Sequence, residues 1–250
     1  MQNLAALNEN FQRDGFVHLP GFMQPAEMDK IEHYYEQVLR DVVPGLPRHD
    51  AMYEDYERSE TLKQVNIPAA EAPYFAALRK SAKMLELAAG LLGEEVVPQS
   101  LELFIKPPEL GTPTPPHQDG FYFCLVPNRA LTAWLALDDM DDQNGTLHYV
   151  AGSHKKGILS HRASRVLGFS QGLDEDDLAA FGREVSCRLQ RGDLLVHHSC
   201  TIHRAAGNPS TRLRRALAMV YYGKSARVDP ESHRRYRESV EGQQKEIGVR

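Results

Sequence analysis

Pro115-Pro116-His117-Gln118-Asp119-Gly120 is the stretch on which the reading of this chain turns. Far downstream stands a further imidazole, His203. Two imidazoles and one carboxylate in the order His-x-Asp…His suit one face of an octahedral ferrous ion, with adjacent positions left open for a cosubstrate and dioxygen. Residues two apart on a strand point the same way, so His117 and Asp119 reach one ion without unusual backbone geometry, and Gln118 turns to the opposite side. Gly120 relieves crowding just past them. His203 has to arrive from another strand, and the turn Arg191-Gly192-Asp193 followed by apolar Leu194-Leu195-Val196 supplies one. His197 and His198 compete for the third position. His203 is preferred because it stands eleven residues before Arg214. His198 is then structural or orients a ligand or lines the cosubstrate pocket, and His197 is structural. His148, His154 and His161 read as polar residues of surface loops.

Arg214 opens the last apolar run, Leu213–Tyr222. Strand alternation puts Arg214, Ala216, Ala218 and Val220 on one face and Arg215 on the other. The small alanines leave room for a small dicarboxylate. A guanidinium grips a carboxylate through a planar fork that lysine does not offer, and buried without an anion it is costly. The far carboxylate of 2-oxoglutarate fits that requirement. Trp134, the single tryptophan, is either core or a wall of the cosubstrate site.

Outward from this stretch the chain has two grammars. Up to about residue 94 it is mostly helical. Apolar residues recur at Leu4, Leu7 and Phe11, then at Met28, Ile31, Tyr35, Val38 and Leu39 after Pro25, then along 73–92 with Gly93 as cap. Phe16–Leu19 is a short strand between the first two, and residues 48–70 read as polar and irregular. From Val96 onward, short apolar runs alternate with Pro, Gly and Asn-Gly punctuation: Val96–Ile105, Phe121–Val126, Leu131–Leu137, Thr146–Val150, Val185–Leu189, Leu194–His198 and Ala216–Tyr222. Residues 160–183 read as an insertion, with an amphipathic stretch at Leu173–Phe181. The charged tail from about residue 226 reads as a surface helix or a loose end. The expectation is an α+β chain with a mainly β core, a jelly roll of cupin type under an N-terminal helical layer, forming one domain over 1–250.

Composition narrows the function classes. The chain has 250 residues, 42% hydrophobic and 25% charged, enough for one sizeable core. Its net charge of −5 gives no nucleic-acid footprint. Three cysteines, Cys124, Cys187 and Cys200, show no C-x-x-C pattern, which argues against a disulfide framework or a zinc knuckle. Met1-Gln2-Asn3-Leu4-Ala5 lacks the features of a secretory leader, and no apolar stretch is long enough to span a bilayer. A reducing, cytoplasmic location is expected, with no membrane or nucleic-acid partner.

These residues carry a family likeness. The landmarks are Asp14-Gly15-Phe16-Val17, Lys106-Pro107-Pro108, His117-Gln118-Asp119, Trp134-Leu135-Ala136-Leu137-Asp138 and Asn144-Gly145-Thr146-Leu147, continuing through Gly152-Ser153-His154, Gly192-Asp193, His203, Asn208 and Arg214. In this combination the chain resembles the phytanoyl-CoA dioxygenase family of Fe(II)/2-oxoglutarate oxygenases. The resemblance implies a double-stranded β-helix with His117, Asp119 and His203 on iron, Arg214 on the 2-oxoglutarate 5-carboxylate, and Trp134 nearby. It also implies cosubstrate contacts from Gln118, Glu102 and Lys63. Against the Glu102 assignment, its carboxylate repels a dianion unless Lys106 intervenes. Ala151 stands where relatives often carry proline, and Ala205 where several place a small hydroxyl. Halogenating relatives replace the carboxylate at position 119, and its presence implies oxygen insertion or a related oxidation.

The expected activity is hydroxylation of a small molecule with release of succinate and carbon dioxide. Phe121, Tyr122 and Phe123 are candidates for the substrate wall. Arg204, Lys106 and residues 48–70 hint at a small polar or anionic substrate. Two alternatives stay open at this point: a cupin-shaped metal enzyme that does not use 2-oxoglutarate, and a non-catalytic small-molecule binder of the same fold.

Overall fold

The computed structural model describes residues 4–166 and 168–246. The expectations for the first three residues, and for the end of the tail beyond Glu246, lie outside the described residues. Helices are Leu4–Asp14 (α1), Pro25–Gln37 (α2), Pro73–Arg79 (α3), Ala82–Leu92 (α4), Asp119–Phe123 (α5) and Pro230–Glu246 (α6). Strands are Phe16–Leu19 (β1), Ala51–Tyr53 (β2), Leu62–Asn66 (β3), Val96–Lys106 (β4), Thr114–His117 (β5), Leu125–Val126 (β6), Ala130–Ala136 (β7), Leu147–Val150 (β8), His161–Val166 (β9), Phe169–Leu173 (β10), Glu184–Ser186 (β11), Leu194–His198 (β12), His203–Ala205 (β13), Arg214–Gly223 (β14) and Arg227–Val228 (β15).

A large sheet runs β1-β12-β7-β14-β4-β3-β2 and a smaller one β11-β8-β13-β5, both with antiparallel pairing. Alternation divides the large sheet into two faces. Leu131, Ala133 and Leu135 of β7 join Leu217 and Met219 of β14 in an apolar cluster with Phe11, Met28, Ile31 and Leu91 of the helices. This is the expected helical layer. Each fully buried Leu, Ile, Met or Phe side chain there contributes about 1.5–3 kcal/mol. The opposite face turns Trp134, Ala136, Ala216 and Ala218 toward Leu147, Tyr149 and Ala205 of the small sheet. Two sheets packed this way form a jelly roll, and the site lies between them.

Several expectations are corrected. Phe121–Val126 is not one strand: a single helical turn over Asp119–Phe123 precedes the two-residue β6. The helix expected over 73–92 is two, because Ser81 caps α4 by accepting from Met84 N and so ends α3 at Arg79. Gly93, at φ 72, is the expected C-terminal cap. Residues 48–70 are not irregular. They contain β2 and β3, which extend the large sheet beside β4. The 160–183 insertion is mainly the hairpin β9–β10, and the amphipathic Leu173–Phe181 is no long helix, with only a short 3-10 turn at Leu178–Phe181. The tail is helical, and Tyr236, Val240 and Gln243 of α6 reach the cavity described next.

Candidate active site

The pairing of β13 with β5 sets His203 directly opposite His117, with ring centroids 4.1 Å apart. Asp119 follows β5 as the first residue of α5, so a strand-to-helix corner brings it back toward the imidazoles, not the continued strand that alternation suggested. Gly120 permits that corner: a Cβ there would meet Asn128 Nδ2 at 2.5 Å and Ile158 at 2.7 Å.

Asp119 Oδ1 lies 3.6 Å from His117 Nε2 and 3.5 Å from His203 Nε2. One ligand atom from each of the three residues falls within 4.8 Å of the others. The far nitrogens are fixed: His117 Nδ1 donates to Pro115 O at 2.8 Å and His203 Nδ1 to Thr201 O at 3.0 Å. Each ring therefore turns an Nε2 lone pair inward. Burial and the neighbouring His117 hold His203 well below the usual imidazole range. Burial opposes ionisation of Asp119, yet His203, His117 and His197 outweigh it and hold the carboxyl well below the usual carboxylate range.

The second carboxylate oxygen is occupied. Asp119 Oδ2 accepts from Thr132 Oγ1 at 2.6 Å and from His197 Nε2 at 3.0 Å, and Tyr149 donates its hydroxyl to His197 Nδ1 at 2.8 Å. This corrects the reading of the paired histidines. His197 is the one that orients the Asp119 carboxylate. His198 packs away from it, against Phe11 and His154, and accepts from Cys200 N. Thr132 and Tyr149 were not anticipated. The alternation of β7 carried the signal for Thr132, which shares the face of Trp134.

His117, Asp119, Thr132, His197 and His203 border a cavity of about 340 Å³. Arg214 enters it from β14 at 3% exposure, with Lys106 opposite on β4. The guanidinium carbon sits 5.6 Å from the Trp134 ring. Arg214 Nε and Nη1 and Trp134 Nε1 are buried and have no hydrogen-bond partner among the described residues. Burial depresses Arg214 to about 9. Arg215 faces the helices as expected, held by Asp138 and Glu32.

The weaker expectations divide. Lys63 lines the cavity but is committed to Glu54 and Thr112 at 3.0 and 2.9 Å. Glu102 also lines it. Gln118 does not. It is fully buried on the other side, its amide donating to Gly157 O and Cys200 O and accepting from Leu159 N, so no polar atom is left for a cosubstrate. Tyr122 and Phe123 line the cavity, whereas Phe121 stacks on His161. Arg204 is paired with Glu184 outside it. His161 is half-buried, not a plain surface residue: it accepts from Gln118 N, and burial pushes it down to about 4.

The phytanoyl-CoA dioxygenase (PhyH) family profile matches residues 11–216. A probable alpha-ketoglutarate-dependent hypophosphite dioxygenase of Stutzerimonas stutzeri is 25% identical, over 83% of this chain and 74% of that one. Phytanoyl-CoA dioxygenase domain-containing protein 1 of Bos taurus is 26% identical, over 83% and 86%. Among solved structures, EctD from S. alaskensis, crystallised with 2-oxoglutarate and 5-hydroxyectoine, shares the fold at a TM-score of 0.75 and 22% identity, over 90% of this chain and 78% of that one. The epimerase SnoN, in complex with Fe3+, alpha ketoglutarate and nogalamycin RO, does so at a TM-score of 0.74 and 23% identity, over 91% and 86%. The chain belongs to the phytanoyl-CoA dioxygenase family of Fe(II)- and 2-oxoglutarate-dependent dioxygenases.

Proposed function

We propose that His117 Nε2, Asp119 Oδ1 and His203 Nε2 hold the ferrous ion. Arg214 takes the far carboxylate of 2-oxoglutarate with Trp134 beside it, and the enzyme hydroxylates a small molecule in the remaining space. The observation that carries the cosubstrate assignment is the set of buried groups without partners at one end of the cavity. Arg214 Nε, Arg214 Nη1 and Trp134 Nε1 are all donors. Three donors with no acceptor call for an anion. A metal enzyme of this shape that ignored 2-oxoglutarate would have no use for them.

When bound, iron and 2-oxoglutarate supply a dioxygen-driven oxidation of a substrate C–H, and the cosubstrate leaves as succinate and carbon dioxide. The chain's own residues prepare for it. Thr132 and His197 occupy Asp119 Oδ2, leaving Oδ1 toward the imidazoles. Pro115 and Thr201 carbonyls hold the rings in one tautomer. Phe169 and Tyr122 flank His117, with ring centroids 5.4 and 5.6 Å away, and keep water from that side. Lys106, pushed down to about 6 by burial and by Arg214, is a neutral amine at pH 7 that gains a proton when a dianion arrives.

No helix among the described residues is long and apolar enough to cross a membrane. The cysteines Cys124, Cys187 and Cys200 are free and buried, which supports a reducing cytoplasmic compartment. The test of the reading is succinate formation with Fe(II) and 2-oxoglutarate. Wild type forms it, and His117→Ala and Asp119→Ala do not. Full turnover by either variant removes that residue from the metal.

A further inference from the structure

Three acidic residues line the cavity, and two have evident partners. Glu54 is held by Lys63 and Thr112, and Asp119 by Thr132 and His197. Glu102 has no cation beside it among the described residues. Ser100 Oγ donates to its Oε1 at 2.8 Å, and Gln64 Nε2 reaches its Oε2 only at 3.4 Å. Burial accordingly raises its carboxyl above the usual carboxylate range. Beside it, Gln64 is 6% exposed and its Oε1 has no donor. Flipping that amide would not help, since it would set two oxygens against each other. Among the described residues the cavity therefore holds a carboxylate without a cation beside an amide oxygen without a donor.

Their place separates them from the cosubstrate end. Glu102 and Lys106 lie four residues apart on one face of β4, about 13 Å at strand rise. Lys106 is opposite Arg214, whereas Glu102 is opposite Ala218, which in turn pairs with Trp134 of β7. Thr132, the donor to Asp119, lies two residues further along β7. Glu102 is thus in the row of residues beside the metal-binding cluster. Phe104, Phe169 and Tyr236 line the same cavity, and aromatic faces attract cations. A carboxylate and an unsatisfied amide oxygen among aromatic rings select a group with several N–H donors and a positive charge.

We propose that Glu102 and Gln64 form a subsite for a protonated primary amine of the substrate. The proposal rests on the reading of this cavity as the active site, and it replaces both the cosubstrate role expected for Glu102 and the anionic substrate hinted at by the sequence.

The test is calorimetric binding of cyclohexylmethylamine, benzylamine and n-butylamine, each against the alcohol of the same skeleton. It is run on the anaerobic Fe(II)- and 2-oxoglutarate-loaded protein, and again with neither present. A charge-assisted pair against a neutral one predicts that at least one amine binds wild type about ten-fold tighter than its alcohol. Glu102→Gln abolishes the preference, and Gln64→Leu reduces it. The subsite is overturned if no amine exceeds its alcohol on wild type, a comparison that needs no variant, or if Glu102→Gln keeps the preference. An amine preference in protein that forms no succinate contradicts the oxygenase reading alone. Succinate formation without an amine preference contradicts the subsite alone.

Discussion

Replacing Arg214 with methionine should move the free and the loaded protein in opposite directions. In the free protein Arg214 is a 3% exposed cation with two unpartnered nitrogens. Its fall from 12.5 to about 9 corresponds, at about 1.4 kcal/mol per tenfold, to roughly 5 kcal/mol held against folding. Methionine fills most of the volume but loses the contact with Trp134, worth about 1–2 kcal/mol. Exchanging buried ion pairs for apolar residues of similar volume is neutral or stabilises by about 1–4 kcal/mol in other proteins, and a gain within that range is expected here. A gain of that size raises Tm by about 2–4 °C per kcal/mol in a chain this long. With 2-oxoglutarate present the sign reverses. A carboxylate stripped of a buried charged partner loses about 2–5 kcal/mol, or roughly 30- to 4000-fold in affinity. The assay is thermal melting with and without cosubstrate, paired with anaerobic 2-oxoglutarate titration of the Fe(II) form. A variant that melts lower while binding 2-oxoglutarate as tightly as wild type would show that Arg214 neither strains the free protein nor grips the cosubstrate.

Other consequences follow from the same geometry. Thr132→Val or His197→Phe removes a donor from Asp119 Oδ2 and should weaken Fe(II) binding about 10- to 100-fold in a chelator competition; unchanged affinity would mean the carboxylate needs no such support. Lys106 stands at about 6 in the free protein, through burial first and then Arg214 and Lys63, so it is neutral at pH 7.5. Binding a dianion raises it, so 2-oxoglutarate binding should take up a proton at pH 7.5 and progressively less as pH falls below 6. Calorimetry in buffers of different ionisation enthalpy measures this, and Lys106→Met should abolish it. Leu135→Ala, at a fully buried position of β7 under the helical layer, should cost about 2–5 kcal/mol in denaturant unfolding, and a loss below 1 kcal/mol would contradict the packing described.

The β core was legible because antiparallel strands with different faces leave a period-two record. The alternation of Arg214, Ala216, Ala218 and Val220 against Arg215 is the clearest case, and the structure turns Arg215 to the helices and Arg214 to the cavity. What was illegible depends on register or on context. His197 and His198 are adjacent and chemically identical, and only the pairing of His197 with Thr132 of β7 decides which meets Asp119. Residues 48–70 read as irregular because their strands are short and their inward side chains, Lys63 and Gln64, are polar. They are buried because a polar cavity lies beneath them. Gln118 carried a family expectation that the local turn defeats. Once Asp119 starts a helix, the intervening amide is free to tie Gly157, Leu159 and Cys200 together. The tail gave no sign that Tyr236 would close the cavity, because nothing local distinguishes a helix that covers a site from one that covers solvent.

The central claim is that His117, Asp119 and His203 meet on one ferrous ion that also accepts 2-oxoglutarate beside Arg214. Anaerobic addition of Fe(II) and then 2-oxoglutarate, followed in the visible range, tests it most directly. A weak charge-transfer band should appear, saturate at one iron per chain, disappear in His117→Ala, and need far more 2-oxoglutarate in Arg214→Met. A wild-type protein that binds iron but develops no band, or a His117→Ala protein that keeps it, would rule out this shared site.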